Sequence, residues 1–260
     1  MSETRTPPAQ EPLGVGAIIS ESFSILFKHI PAVMVMGIAP VLLTRLYAAM
    51  FLGWDGALLY AINEDYFDPV MTFALLVSIF VVEIMAYSLN GALVAQLSYD
   101  SKLGRPLRLQ RYWMAALFTL PVVLVLSLVS VLLTIGGLLL LVVPGLLVMA
   151  MFSVLAPAVV IERVGLRGLH RSHALTKGYL WPIVGTLILV GVVVNIVDNA
   201  AVFLADMAHD AQGTAAGVLV YCAVSAISYG LGGILAALIY ARLREIKEGV
   251  SIDEIAAVFD

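Results

Sequence analysis

Apolar stretches of helical length follow one another along the chain, separated by short polar segments. They cover about 31–53, 70–98, 114–161, 181–204 and 217–240. A helix crosses a bilayer core in roughly 20 residues. The third run is about twice as long as that, so it reads as a tight hairpin of two spans, giving six spans in all. Its turn falls either at Gly136-Gly137 or at Pro144-Gly145. The first divides the run more evenly and is preferred. Unbroken apolar runs, rather than alternating segments of about ten residues, speak against a membrane β-barrel.

The flanks have their own pattern. Over residues 15–30, Val15, Ile18, Ile19, Phe23, Leu26 and Ile30 share one helical face and Glu21, Ser24 and Lys28 lie opposite. That suits an amphipathic helix lying at the membrane surface. Residues 1–13 are polar and proline-rich, without the apolar core of a signal peptide, and read as a disordered tail. After the last span Gly249 is a helix stop. Ser251 and Glu254 then have the spacing of a capping box, predicting a short helix over 250–260. The six-span domain occupies 14–249.

Composition agrees. The chain is 62% hydrophobic and 12% charged, against about 45–50% and 25% in a soluble domain. The single Cys222 allows no internal disulfide. The net charge of −4 matters less than where the cations fall. Lys28, then Lys102, Arg105, Arg108 and Arg111, then Arg163, Arg167, Arg171 and Lys177, then Arg242, Arg244 and Lys247 all lie in alternate loops. The intervening loops hold Asp55, Glu64, Asp65, Asp68, Asp206 and Asp210 and no base. Basic loops stay in the cytoplasm, so both termini are expected there. Tyr112 and Trp113 read as interfacial anchors of the second basic segment.

Three stretches resemble one another: ESFSILFKHIPAVMV (21–35), RLQRYWMAALFTLPVVLV (108–125) and RSHALTKGYLWPIVGTL (171–187). Each is a basic or amphipathic segment leading into an outward span. The fold class is therefore an all-α polytopic membrane bundle of six transmembrane helices with short amphipathic helices at the cytoplasmic face. Three helix-plus-hairpin repeats would generate it. The competing explanation is that any helix start at the inner leaflet looks basic and aromatic. Segments 15–30, 105–113 and 165–178 are expected to form short helices at one level.

At PGLLVMAMFSVLAPAVVIE, GLRGLHRSHALTKGYLWPIVG and ALIYARLREIKEG the chain resembles the membrane-domain family found fused to some bacterial glycerophosphodiester phosphodiesterases. The matching residues are Pro144, Gly145, Pro157, Glu162, Arg171, Ser172, Leu175, Thr176, Lys177, Gly178, Tyr240, Arg242, Leu243, Arg244, Glu248 and Gly249. They cover roughly the second half; the first half is similar mainly in hydropathy. The resemblance implies a multi-pass protein of the bacterial cytoplasmic (inner) membrane, a stand-alone member without the catalytic barrel. Such a barrel takes about 250 residues by itself. It implies no enzymatic activity.

No phosphate-binding glycine loop, nucleophile elbow or zinc-protease signature is present. His170 and His173 have a spacing that can hold a metal, but no third ligand is near in sequence. No cofactor, metal or nucleic acid is expected. Arg105, Arg108 and Arg111 form one stripe and Arg167 and Arg171 another. With Lys177 they form a basic surface suited to anionic lipid head groups, or serving only to set topology. Glu162 could pair with Arg163, Arg171 or Lys177, as a structural clasp rather than a catalyst. Within the spans, Arg45, Glu83 and Asn195 each lie about 21–22 Å from the inner edge, at 1.5 Å per residue, with Asp198 a turn higher. Charges there face the bundle interior, so Arg45 should pair with Glu83, with Asn195 and Asp198 as further partners. Ser228, Gly232 and Ala236 form a small-residue stripe for helix packing or for a second subunit. The sequence thus points to a non-enzymatic membrane protein that engages lipid or a membrane partner through a basic face. The alternative is a small-solute or lipid transporter built on Arg45, Glu83 and Asp198. The charge asymmetry predicts that reporters active only in the periplasm stay silent when fused to either terminus; activity at one end would reject the six-span topology.

Overall fold

The computed structural model describes residues 12–59 and 68–249. In chain order they form α1 (Val15–Lys28), α2 (Ile30–Leu59), α3 (Pro69–Lys102), α4 (Leu109–Leu140), α5 (Val142–Phe152), α6 (Leu155–Glu162), a 3-10 turn at Gly165–Arg167, α7 (Gly168–Thr176), α8 (Leu180–Gln212) and α9 (Thr214–Glu248). No strand occurs among the described residues. Six segments are long and apolar enough to cross a membrane: Ile30–Gly53, Pro69–Lys102, Leu109–Leu140, Val142–Glu162, Leu180–Gln212 and Thr214–Glu248. The chain is an all-α polytopic helical bundle. Its outer surface carries large apolar side chains, among them Phe118 at 81% exposure and Leu139 at 83%. Such a surface suits contact with lipid rather than water.

Local chemistry sets the helix ends. Pro69 opens α3, and Pro144 and Pro157 stand in the first turns of α5 and α6, where the missing N–H has no intrahelical partner to lose. Gly249 adopts a left-handed φ of 63° and its N–H closes α9 on the Glu245 carbonyl. The lysines and arginines of the flanking segments collect at one end of the bundle, where α3, α6 and α9 finish and α4 and α8 begin. This is called the basic end below.

Helix α9 is the hub. Two-thirds (67%) of its most apolar window is buried, against 17% for α4. It packs on α1, α2, α3, α6, α7 and α8. A helix surrounded in this way must present small residues. A Cβ on Gly230 would lie 2.2 Å from Val33 Cγ1, and one on Gly37 of α2 only 2.9 Å from the Ala226 Cα. The stripe expected from sequence was Ser228, Gly232 and Ala236. Ser228 is buried and Gly232 accommodates the Tyr87 hydroxyl, but the tightest approaches are the Gly37 backbone to the Ala226 backbone and the Val33 side chain to Gly230.

Several expectations are corrected. The hairpin between the third and fourth spans does not turn at Gly136-Gly137 but at Leu141, whose extended φ of −162° and ψ of 152° break the helix. The glycines on each side close it: a Cβ on Gly137 would lie 2.9 Å from the Gly145 Cα. Segment 105–113 is not a short helix. Gly104 takes a φ of 64° and Pro106 disfavours helix at Arg105, so α4 starts only at Leu109. Two short helices, α1 and α7, therefore stand where three repeats need three. Tyr112 is not an interfacial anchor: it is 1% exposed, and its hydroxyl donates to Asp100 Oδ2 at 2.5 Å. Asp206 and Asp210 belong to the last turns of α8, since Gly213 alone links α8 to α9. In α1, Ser22 is buried and donates to the Ile18 carbonyl, and Glu21 pairs with Lys102 rather than facing water alone. Leu13, at the end of the expected tail, is buried. Residues 1–11, the acids Glu64 and Asp65, and the expected helix 250–260 lie outside the described residues.

The α2–α9 crossing yields a prediction. Gly37→Ala drives a methyl into Ala226 backbone that cannot move aside, and should cost about 1–3 kcal/mol. Gly136→Ala meets nothing within 4 Å and should be neutral. Thermal unfolding of both variants in detergent checks this; equal melting temperatures would show that the crossing is not tight.

Candidate functional site

Two groups of polar side chains stand out. The first lies at the basic end. Helix α6 stops at Glu162 because Arg163 turns left-handed, with φ 55° and ψ 35°. The chain doubles back through Gly165 and Gly168 into α7, which packs against α5 and α6. Gly168 makes this possible, since a Cβ there would lie 2.5 Å from Val159 Cγ2. Residues 168, 172, 175 and 176 recur at helical spacing, and all four are buried.

The break between α5 and α6 leaves the Met151 carbonyl without its usual helical partner. Ser172 Oγ donates to it at 2.7 Å, and Thr176 Oγ1 lies 3.2 Å from it while sharing its one proton with the Ser172 carbonyl at 3.0 Å. An unsatisfied carbonyl in an apolar setting costs several kcal/mol, so these hydroxyls make the broken span tenable. Lys247 Nζ likewise donates to the Ala174 and Lys177 carbonyls, both at 2.7 Å. It thereby caps the C-terminus of α7 with a cation, as the helix dipole favours.

Glu162 ties these elements together. Arg171 grips it with two parallel bonds, Nε to Oε2 and Nη2 to Oε1, both 2.7 Å. The Tyr240 hydroxyl donates to Oε1 at 2.6 Å. Arg171 also pairs with Glu248, and Glu248 accepts from Arg244 Nε at 2.9 Å. A carboxylate held by a planar guanidinium fork is among the stronger pairings available. The bond to Glu162 is the main reason Arg171 holds its proton above the ordinary arginine range. Glu162, Arg171, Tyr240, Arg244 and Glu248 thus join α6, α7 and α9 in one clasp. Of the partners left open by the sequence, Arg171 is the one Glu162 takes.

Arg171 is therefore not available to a lipid, unlike the role expected of it. Arg105 is partly buried. Arg108, Arg111, Arg167 and Lys177 have exposed side chains and make no ion pair among the described residues. Arg163 joins them; sequence reasoning spent it as a neighbour for Glu162. Its signal was the absence of glycine after α6, which left an arginine to take the left-handed turn. The carboxylates at this end are occupied: Asp100 by Tyr112, Glu21 by Lys102, Glu245 by Arg242, and Glu162 and Glu248 by the clasp.

The second group lies within the spans. Arg45 of α2 is 1% exposed, and its Nη2 donates to Glu83 Oε1 of α3 at 3.0 Å. Its guanidinium lies 4.7 Å from the Tyr221 ring centroid, a cation–π distance. Asp198 of α8 stands beside Ser228 and within electrostatic reach of Glu83. Asn195 does not join them. It is exposed, and Asn199 Nδ2 donates to its backbone and side-chain oxygens at 2.7 and 3.1 Å. One helical turn separates Asn195 from Asp198, but the rotation of α8 points them differently. Elsewhere in α3 and α9, the Asn90 amide is 0% exposed and neither of its polar atoms finds a partner among the described residues, and Ser225 Oγ is buried and also unpaired.

No protein-family model, curated protein or solved structure matches the chain. Six of the sixteen resemblance residues, Pro144, Gly145, Pro157, Glu162, Ser172 and Gly178, occupy or pack on junctions between helices. Pro144 and Gly145 shape the Leu141 turn, Pro157 the start of α6, Glu162 and Ser172 the contacts of α7, and Gly178, with φ 89°, the turn into α8.

The clasp predicts that Glu162→Ala, which leaves Arg171 only Glu248 and removes the acceptor of the Tyr240 hydroxyl, destabilises the protein by about 2 kcal/mol, between an exposed and a fully buried pair. Glu248→Ala, one step further out, should cost less. Unfolding midpoints in detergent test this order; the reverse order would remove Glu162 from the centre of the clasp.

Proposed function

We propose that this protein is a non-enzymatic member of the phosphodiesterase-associated membrane-domain family, seated in the bacterial cytoplasmic membrane with both termini inside. There it binds anionic lipid head groups through its basic end. One observation carries the reading. Arg108, Arg111, Arg163, Arg167 and Lys177 stay exposed without a carboxylate among the described residues, while each described acid at that end is engaged elsewhere. Cations needed only for topology would be as useful paired as unpaired.

The placement of Arg108 and Arg111 supports the same reading. They stand at the cap and in the first turn of α4, which has no side-chain cap and no acid. Cations there oppose the helix dipole. A phosphate bound between them and the free N–H groups would reverse that penalty. Each cation near an anionic surface contributes about 1 kcal/mol.

A second reading, transport of a small solute or lipid, draws support from the other group. Arg45 pairs with Glu83, Asp198 lies within electrostatic reach of Glu83, and Asn90 of α3 and Ser225 of α9 are buried without a partner among the described residues. The exposed cations contribute nothing to that reading, so lipid binding is preferred.

The experiment is native mass spectrometry of protein released from nanodiscs of mixed phosphatidylglycerol and phosphatidylcholine. The wild type should retain phosphatidylglycerol preferentially and lose the preference as salt rises. The triple variant Arg108→Gln, Arg167→Gln, Lys177→Gln should lower that preference at least tenfold while still inserting. An unchanged preference in a normally inserted variant would end the lipid reading.

A further inference from the structure

The basic end also holds a groove, between α4 and α6. It is an open groove of about 320 Å³, lined by Ala115, Phe118 and Val122 on one side and Val159 and Val160 on the other, with Arg163 also in its lining. We infer that this groove seats one acyl chain of an anionic phospholipid whose phosphate is held by Arg163 and Arg111. The inference rests on the lipid-binding reading above and gives it a specific site.

The walls are hydrocarbon. Thr119 also lines the groove, but its hydroxyl is spent on the Ala115 and Ala116 carbonyls at 2.9 and 3.2 Å. Ala115 lies six residues past the start of α4 and Val122 thirteen, so the trough runs from about 9 to 20 Å along the helix. Its length of about 11 Å covers roughly two-thirds of one leaflet in a core about 30 Å thick. A free phosphate or a small polar solute has no use for such walls.

The charge is confined to one end. Arg111 precedes Ala115 by one turn, and 111, 115, 118 and 122 share a face of α4. Arg163 closes α6 in a left-handed conformation that other helices give to glycine. Its sequence neighbour Glu162 is fully engaged by Arg171 and Tyr240, so the Arg163 charge is not neutralised from within. An apolar trough with Arg163 in its lining and Arg111 one helical turn before Ala115 complements a molecule with an apolar tail and a single anionic head. Neutral lipid would fill the trough but leave the cations unmatched.

The test is photo-crosslinking of the full chain in nanodiscs, using phosphatidylglycerol or phosphatidylcholine with a diazirine in the acyl chain, followed by peptide mapping. Label from phosphatidylglycerol should concentrate on 115–122 and 159–160, at least fivefold above phosphatidylcholine. Arg163→Gly, which suits the left-handed turn and so preserves the fold, should bring the two lipids level there. Ala115→Trp should block the trough and remove label from Val159 and Val160, while the salt-dependent phosphatidylglycerol preference of the whole protein persists. Label spread evenly around α4, including exposed Leu132 at the far end, would overturn the groove. So would labelling of Val159 and Val160 that ignores both substitutions. In either case a retained phosphatidylglycerol preference, lost in the Arg108, Arg167 and Lys177 variant, would leave the broader reading standing.

Discussion

Helix α9 is surrounded by protein along most of its length, and α1, α2, α3, α6, α7 and α8 are placed directly against it. Lipid tails are as apolar as the side chains, so little hydrophobic force drives helices together in a membrane. Close van der Waals contact must do it. The small residues of α9 allow that contact: Ala226 takes Gly37 of α2, Gly230 takes Val33, Gly232 takes Tyr87 and Gly233 takes Val94 of α3. A bulkier residue at Gly37 would meet the Ala226 backbone, whereas at Gly230, Gly232 or Gly233 it would meet a side chain that has to give way.

The same helix then leaves the packed region and supplies Tyr240, Arg244, Lys247 and Glu248 to the basic end. Packing and chemistry are joined there. The fourth span is broken between α5 and α6, and a broken helix exposes carbonyls that an apolar environment cannot satisfy. Helix α7 covers the break through Ser172 and Thr176, and the Glu162–Arg171 clasp with Lys247 holds α7 against α9. This arrangement sorts the cations. Those the clasp requires are turned inward and paired; those it does not require face outward along α4 and the α6–α7 turn. The proposed lipid site is made of the second set.

Much of this was legible in the chain. Six spans, their approximate ends, the charge asymmetry and the stop at Gly249 follow from hydropathy, from cation placement and from a glycine where a left-handed residue is needed. Arg45 and Glu83 were matched by depth alone, because a helix climbs by a fixed amount per residue and a lone charge in lipid needs a partner. Depth says nothing of rotation, however. Asn195 has the right height but sits on the wrong side of α8, paired with Asn199.

What the sequence could not settle were the choices among residues of the same kind. Glu162 had Arg163, Arg171 and Lys177 within reach along the chain, and only the fold-back of α7 brings Arg171 to it and leaves Arg163 turned away. Tyr112 looked like an interfacial anchor until the approach of α4 to α3 placed it beside Asp100. The hairpin turn had Gly136-Gly137 or Pro144-Gly145 to use, and the structure packs Gly137 against Gly145 with Leu141 between them. Hydropathy and charge act along the chain and can be read there. Pairing, rotation and burial depend on which helices come into contact, and that is decided by the shape of α9 and the residues that fit against it.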